Sequence, residues 1–431
     1  MNTQVILLPP PFATGFAPLA VLGYCLTRTE FLKPLCGVQL GIKTRQHAPH
    51  EKLQDVLVSI LANCSSIKQI DLRIRPDLVL AEAWGRTQFA EQSTTADTLN
   101  AFTDTSVAQL RTALDIIYQR EGQACQHNFE TDLLAIDIDL TGLRASARAE
   151  GSCKGYFSGK RNAHGRQVIR VSAPYYHETL YSKLAVGSQH GSTVLKATLR
   201  AVQSLLHWTP EQGRRVLIRT DAGLGSDTNI NWALTHNYQV LMKGYNGKRA
   251  IAFAKQINAA DWYALHDQRW VACVPQAPRY ARRTQTLVLH WVTESGETKY
   301  ATLVHSLLDH DWHTIPDLYD GRGAVESEIK MDKSGLLLPK RRKQQFAAQE
   351  TLLLVTDLAH NLLAWLHPWM FAETRFAKMG PVTLVNDVLC LPGEIRVKGD
   401  KLHMVALWET HPYAAEMQVC LLKLLAHFGN P

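Results

Sequence analysis

No two of the eight cysteines stand as a C-x-x-C pair, and no cysteine–histidine quartet is closely spaced along the 431 residues. That pattern offers neither a zinc site nor a redox dithiol, so free buried thiols in a reducing cytosol are the expectation. Aromatic residues are sparse at 8%, but 46% of the chain is hydrophobic, which excludes a disordered, collagenous or fibrous protein. There is no internal repeat and no low-complexity segment. The apolar stretch from Val5 to Leu26 carries no charge before Arg28. It has no basic leader of a secretory signal, and Pro9, Pro10, Pro11 and Pro18 break any spanning helix. We therefore expect no membrane segment there, but an extended arm or a core-packing segment. The net charge is only +7; it allows a polyanionic partner without requiring one.

At about 100–200 residues per domain, this length accommodates two to four domains. From Glu51 to about Gly122 the spacing is helical, with Leu53, Val56, Leu57, Ile60 and Leu61 in one set and Val107, Leu110, Leu114 and Ile117 in another. Short helices near Leu78–Ala83 and after the capping run Ser93-Thr94-Thr95 fall between them. Such a region suits either a helix-turn-helix DNA reader or a plain helical subdomain.

At Leu133 the texture changes to LLAIDIDL, a buried strand with carboxylates at its end. Strand-like runs at Gln167–Ala173, Arg215–Thr220 and Gln239–Lys243 alternate with helical stretches near Ser192–His207 and Asp227–His236. That alternation predicts an α/β layer with parallel components. Between Gly244 and Leu318 the runs Trp270–Val274, Thr286–Val292 and Lys299–His305 are β-rich and predict an inserted β subdomain without a strong helix. A helix over Tyr319–Lys333, the basic run Lys340-Arg341-Arg342-Lys343 and a long amphipathic helix from Gln344 to Trp365 follow.

The segment YDGRGAVESEIKMDK carries the most chemistry. At about 100° per residue, Tyr319, Arg322, Glu326, Lys330 and Lys333 share one face of a helix. That is the spacing of a core stripe, yet four of the five members are charged; Val325 and Ile329 flank it. A solvated helix with simple i,i+4 ion pairs would be the plain reading if nothing else converged on it. Two carboxylates do. Asp139 ends one strand and Asp221 another, and functional groups of open α/β sheets gather at the carboxyl ends of strands. With Glu326 they make three acids around a small volume, a donor set suited to Mg²⁺ or Mn²⁺. Two such ions about 3.5–4 Å apart can activate a water or a 3′-hydroxyl for in-line phosphodiester displacement. Asp137 lies two residues before Asp139 and faces the same side of the strand, whereas Glu328 lies about 200° around the helix from Glu326 and cannot share the cleft.

These blocks, D-x-T at Asp139–Thr141, T-D-A-G at Thr220–Gly223 and Y-x2-R-x3-E-x6-K at Tyr319–Lys333, resemble the DDE transposases of bacterial insertion sequences, specifically insertion sequence family four. The resemblance covers roughly Leu133 to Arg342. It implies an RNase H-like catalytic core interrupted by a β-strand insertion; outside its reach, the sequence pattern predicts a helical N-terminal region for DNA binding and a helical C-terminal region. The corresponding spans are 1–130 for the N-terminal region, 131–245 and 318–370 for the core, 246–317 for the insertion, and 371–431 for a C-terminal region that would serve dimerisation. It further implies Asp139, Asp221 and Glu326 as the metal triad for two Mg²⁺ or Mn²⁺ ions, with Asp139 preferred to Asp137 because a threonine follows two residues later. Tyr319, Arg322, Lys330 and Lys333 would contact phosphates at the transposon end, and Trp291 or Trp312 would stack on a flipped base. The implied activity is cut-and-paste DNA transposition by a homodimer in the bacterial cytoplasm, on terminal inverted repeats.

Lys340, Arg341, Arg342 and Lys343, with Arg279, Arg282, Arg283, Lys248 and Arg249, are further candidates for phosphate contacts. Competing patterns are weaker. Gly223 and Gly225 suggest a dinucleotide turn, but position 228 is Thr where a third glycine belongs. Asp137-Ile138-Asp139 has the D-x-D form of metal-dependent glycosyltransferases, but leaves the Tyr319–Lys333 stripe unexplained. An RNase H-like nuclease that cuts without joining, or a domesticated DNA-binding protein without catalysis, are the alternative functions.

Overall fold

A computed structural model describes residues 12–429 apart from 45, 158, 267, 399 and 400; the prolines at 9–11 lie outside the described residues. The chain divides into two compact units, one from residues up to Tyr118 together with Met331 onward, the other from Gln119 to Lys330.

The first unit is built on a helix over Phe346–Leu366, of which all but three residues are buried. Helices Ala17–Arg28, Pro49–Leu61 and Asp104–Glu121 belong to the same unit. In Ala17–Arg28 the ten residues from Ala17 to Leu26 are buried, so this part of the apolar stretch packs in the core. Leu53, Val56, Leu57, Ile60 and Leu61 are all buried, as their spacing predicts. The C-terminal region departs from the helical expectation. Gly393–Lys398 and Lys401–Leu407 form a hairpin that pairs with Ala13–Thr14 to make a three-stranded sheet, and among the described residues there only Ala414–His427 is a long helix.

The second unit is a ten-stranded sheet with helices, an α/β architecture as the strand–helix alternation predicts. Its strands are β1 (Leu134–Arg144), β2 (Cys153–Phe157), β3 (Lys160–Ala173), β4 (Glu178–Ala185), β5 (Val216–Thr220), β6 (Gln239–Lys243), β7 (Arg269–Cys273), β8 (Gln285–Val292) and β9 (Thr298–His305), with a two-residue strand at Tyr263–Ala264. The order is β2-β3-β1-β5-β6-β9-β8-β7, with β4 pairing β3. β1, β5 and β6 are mutually parallel, and every other pairing is antiparallel. The parallel strands read as continuous apolar runs because they are covered on both sides: Leu134, Ile136, Ile138, Val216, Ile218, Val240, Leu241 and Met242 are all at most 1% exposed. Each such side chain contributes about 1.5–3 kcal/mol when fully buried.

Helix α1 (Leu195–Leu206) leads from β4 to β5, and α2 (Asp227–Thr235) makes the crossover from β5 to the parallel β6. Leu195, Leu199, Val202 and Leu206 of α1 recur every three or four residues and are buried.

The β-rich stretch expected as an inserted subdomain continues the same sheet, because β9 pairs with β6 through Leu303–Lys243, Val304–Met242 and His305–Leu241. Its apolar side chains share a cluster with the parallel core, where Leu217 and Leu241 meet Val271, Leu287, Leu289 and Leu303. The stretch also holds a helix, α3 (Gly247–Ala254), whose Phe253 packs on Ala272, Val274 and Val288. The helix predicted over Tyr319–Lys333 is two, α4 (Ile315–Asp320) and α5 (Gly323–Ser334), separated by a turn at Gly321–Arg322.

Candidate active site

The register of the parallel strands brings the first two acids together. Ile138 of β1 lies opposite Thr220 of β5, so the next residues, Asp139 and Asp221, stand side by side where β5 ends; β1 itself runs on to Arg144, so Asp139 lies within its strand and does not end it as the sequence suggests. Just beyond β5 the chain turns sharply: Leu224 N–H donates to Asp221 Oδ1 at 3.3 Å and Gly225 N–H to the Asp221 carbonyl at 3.1 Å. Gly225 is required there by close approach, since a Cβ would stand 1.8 Å from the Lys243 carbonyl oxygen.

Arg322, in the turn between α4 and α5, joins the third acid to the first. Its Nη2 donates to Asp139 Oδ1 and its Nη1 to Glu326 Oε1, both at 2.9 Å. The guanidinium side chain is 5% exposed, Asp139 is 15% exposed and Glu326 is 64% exposed. Burial raises the Asp139 carboxyl above the usual range; Arg322 opposes that rise, while Asp221 and Glu326 add to it. Burial alone would lower the Arg322 pKa, yet Tyr319, Asp139 and Asp221 hold it above its ordinary value. All three acids thus act on one buried cation.

Asp137 has a different office. It is fully buried and receives both Arg219 Nε at 2.6 Å and Arg219 Nη2 at 2.7 Å. Arg219 Nη1 donates to the Leu318 carbonyl at 2.7 Å, tying β1 and β5 to α4 and hence to Tyr319. Burial pushes the Asp137 carboxyl up to about 6. Glu328, around the helix from Glu326, is buried and accepts from His177 at 3.0 Å.

A cleft of about 370 Å³ is lined by Asp221, Lys243, Tyr319, Arg322 and Glu326. Burial pushes the Tyr319 phenol up to about 12, so it stays neutral at physiological pH; its hydroxyl lies 3.4 Å from the Thr220 carbonyl, to which it donates. A second hollow of about 250 Å³ shares Lys243, Tyr319 and Asp320 with the first and is walled by Trp291 and Leu289. Lys243 Nζ lies 5.8 Å from the Trp291 ring centroid. Trp312 instead packs on the apolar cluster and against Tyr263, and lines neither hollow.

Lys330 lies on α5 and is exposed, with Lys333 three residues further along the same helix. The side chain of Val325 lies outside the described residues. The first unit resumes at Met331 and so holds Lys333; in it Lys340 and Arg342 are exposed, Arg342 donating to the Pro339 carbonyl at 2.8 Å. Arg341 departs from its expected role. It is buried and donates to the carbonyls of Leu336 and Cys64, so the guanidinium that was to meet a phosphate serves the interior of its unit. Arg249 is likewise turned onto Asp227 at 2.7 and 2.8 Å, and Arg282 onto the Tyr238 carbonyl.

The sequence reading overlooked Lys243, Arg219 and Asp320. Lys243 had a signal, since it ends a parallel strand on the edge where functional groups collect. Three carboxylates of this kind are hard oxygen donors that suit Mg²⁺ or Mn²⁺. Among the described residues, however, no three acidic, histidine or cysteine side chains stand together as a ready cation site. The Arg322 guanidinium stands between two of the acids.

The family described as Transposase DDE domain group 1 matches residues 30–427. Among solved structures, the fold is similar to that of a piggyBac transposase, determined by cryo-EM as a synaptic complex with hairpin DNA. The TM-score is 0.50 at 11% sequence identity, covering 86% of this chain and 79% of that one. No curated protein sequence matches. Among the described residues, no helix is long and apolar enough to cross a membrane.

Proposed function

The chain belongs to the DDE transposase family of group 1, and from that premise we propose that it carries out cut-and-paste DNA transposition, with Asp139, Asp221 and Glu326 as the metal-binding acids. The observation that carries this reading is the convergence of Asp139, midway along β1, and Asp221, just past the carboxyl end of the neighbouring β5, on the guanidinium that also binds Glu326. The strand order β4-β3-β1-β5-β6, antiparallel through the first three and parallel through the last three, supports an RNase H-like core.

Divalent cations held by the three carboxylates would supply Lewis-acid activation of the attacking oxygen and stabilise the leaving one. The chain's own groups do the rest. Asp221 and Glu326 present oxygens to the cleft, Arg322 on its wall holds Asp139 behind them, and the Asp137–Arg219 pair fixes β1, β5 and the carbonyl of Leu318 in mutual register. Tyr319, neutral at physiological pH, offers a hydroxyl at the cleft wall. Arg322, Lys330 and Lys333 would take the phosphates of the transposon end. Trp291 is favoured over Trp312 as the stacking partner of a displaced base, because it walls the hollow beside the cleft. Lys340 and Arg342 remain as further phosphate contacts. The similar structure is a complex with hairpin DNA, which supports DNA as the partner here. Pairing two transposon ends calls for a homodimer, and an insertion sequence of a bacterium is the setting the motif resemblance supports.

Purified protein given precleaved end duplexes, target plasmid and Mg²⁺ should join the 3′ ends to the plasmid. Cleavage of end DNA without any joined product would assign it to the hydrolytic nucleases instead.

A further inference from the structure

One side chain accounts for how three acids share this crevice. Arg322 donates to Asp139 and to Glu326 at 2.9 Å each, from a position with 5% exposure. Asp221 lies near enough to act on the same guanidinium. Its planar fork suits this task, since two parallel sets of donors can meet two carboxylates at once. A cation at that point is needed, because like charges this close repel strongly when little water separates them. A divalent ion bound by the same oxygens would need the space and the lone pairs that the guanidinium uses.

Resting on the triad reading above, we propose that Arg322 is a built-in counter-cation of the acid cluster, which divalent metal must displace in order to bind. Arg322 holds Asp139 and Glu326 together while no metal is bound and yields them to the metal when it arrives. The displaced guanidinium remains on the cleft wall, where it can meet a DNA phosphate. Metal and DNA binding are then coupled through one side chain, and by linkage each strengthens the other.

The test is Mn²⁺ binding to the DNA-free protein, followed by the electron paramagnetic resonance signal of free Mn²⁺, for wild type, Arg322→Gln, Arg322→Lys and Glu326→Gln. Removing the competing cation should tighten Mn²⁺ binding of Arg322→Gln by on the order of tenfold. Arg322→Lys, with a charge but no fork, should fall between the two. Arg322→Gln should also melt below wild type without metal and gain more from added Mg²⁺, a readout that holds even if the variant is only partly folded in its absence.

Mn²⁺ binding that is unchanged or weaker in Arg322→Gln, while lost in Glu326→Gln, would overturn the counter-cation role and leave the triad standing. Wild-type Mn²⁺ affinity in Glu326→Gln would overturn the triad itself. Ca²⁺ should strengthen binding of a mixed-sequence duplex to wild type and not to Arg322→Gln; an equal gain in both would overturn the coupling.

Discussion

Asp137 and Asp139 lie two residues apart on one strand, and the structure gives them opposite kinds of work, which mutation can separate. Asp137 is 0% exposed, Arg219 is 9% exposed, and two bonds of 2.6 and 2.7 Å join them. Asp137→Asn leaves a buried guanidinium without its counter-charge. Breaking a buried pair from one side costs about 3–5 kcal/mol. In a unit of this size each kcal/mol moves Tm by about 2–4 °C, so Asp137→Asn should melt about 6–20 °C below wild type by calorimetry. The double variant Asp137→Leu/Arg219→Leu should recover most of that loss, because no charge is then stranded. Asp139→Asn should behave otherwise. Its neutral side chain relieves repulsion with Asp221 and Glu326 while Arg322 keeps Glu326, so its melting shift should be much the smaller of the two, with DNA cleavage abolished. An Asp137→Asn protein that melts within about 2 °C of wild type would refute the claim that this pair holds the crevice in register.

Two other outcomes follow from the same structure. His305 is fully buried on β9, and burial lowers its pKa from 6.5 to about 4. Between those values the unfolded chain takes a proton that the folded chain does not. Stability is therefore lost as pH falls from about 6.5 to about 4, by about 3 kcal/mol over the window, and His305→Leu should flatten that part of a pH–melting curve. Trp291→Ala should weaken binding of end DNA carrying an unpaired base near its tip by about 1–3 kcal/mol, while Trp312→Ala, which lines neither hollow, should leave that binding unchanged in a fluorescence-anisotropy titration.

What the sequence disclosed, and what it concealed, follows the range of the interactions involved. The strands at Leu134–Arg144 and Val216–Thr220 were legible because burial on both faces writes a local apolar run, and the acids within the first and just past the second stand out against it. The strand Glu178–Ala185 was missed, since ETLYSKLA mixes polar and apolar residues without alternation although most of it is buried. Continuity of the sheet through β6 and β9 was illegible because the pairing joins Lys243 to Leu303 across the whole segment that holds α3, β7 and β8. Arg341 read as a solvent-facing charge, as an arginine in a basic run usually is. Its burial depends on the Cys64 carbonyl, hundreds of residues away. The break between α4 and α5 did have a local signal in the glycines on either side of Arg322. The approach of Asp139 to Asp221 was legible from neighbouring parallel strands, but the guanidinium that joins Asp139 to Glu326 was not, because the periodicity of a helix shows which residues share a face and not which of them bond.

The central claim is that Asp139, Asp221 and Glu326 act as one metal-dependent catalytic group on DNA. The most direct measurement is nicking of a labelled transposon-end duplex by wild type and by Glu326→Gln, with Mg²⁺ and with EDTA. Wild type should cleave the strand only with Mg²⁺, and Glu326→Gln should lose at least about a hundredfold in cleavage with an unchanged melting temperature. Equal cleavage by the two proteins, or cleavage that persists in EDTA, would contradict it.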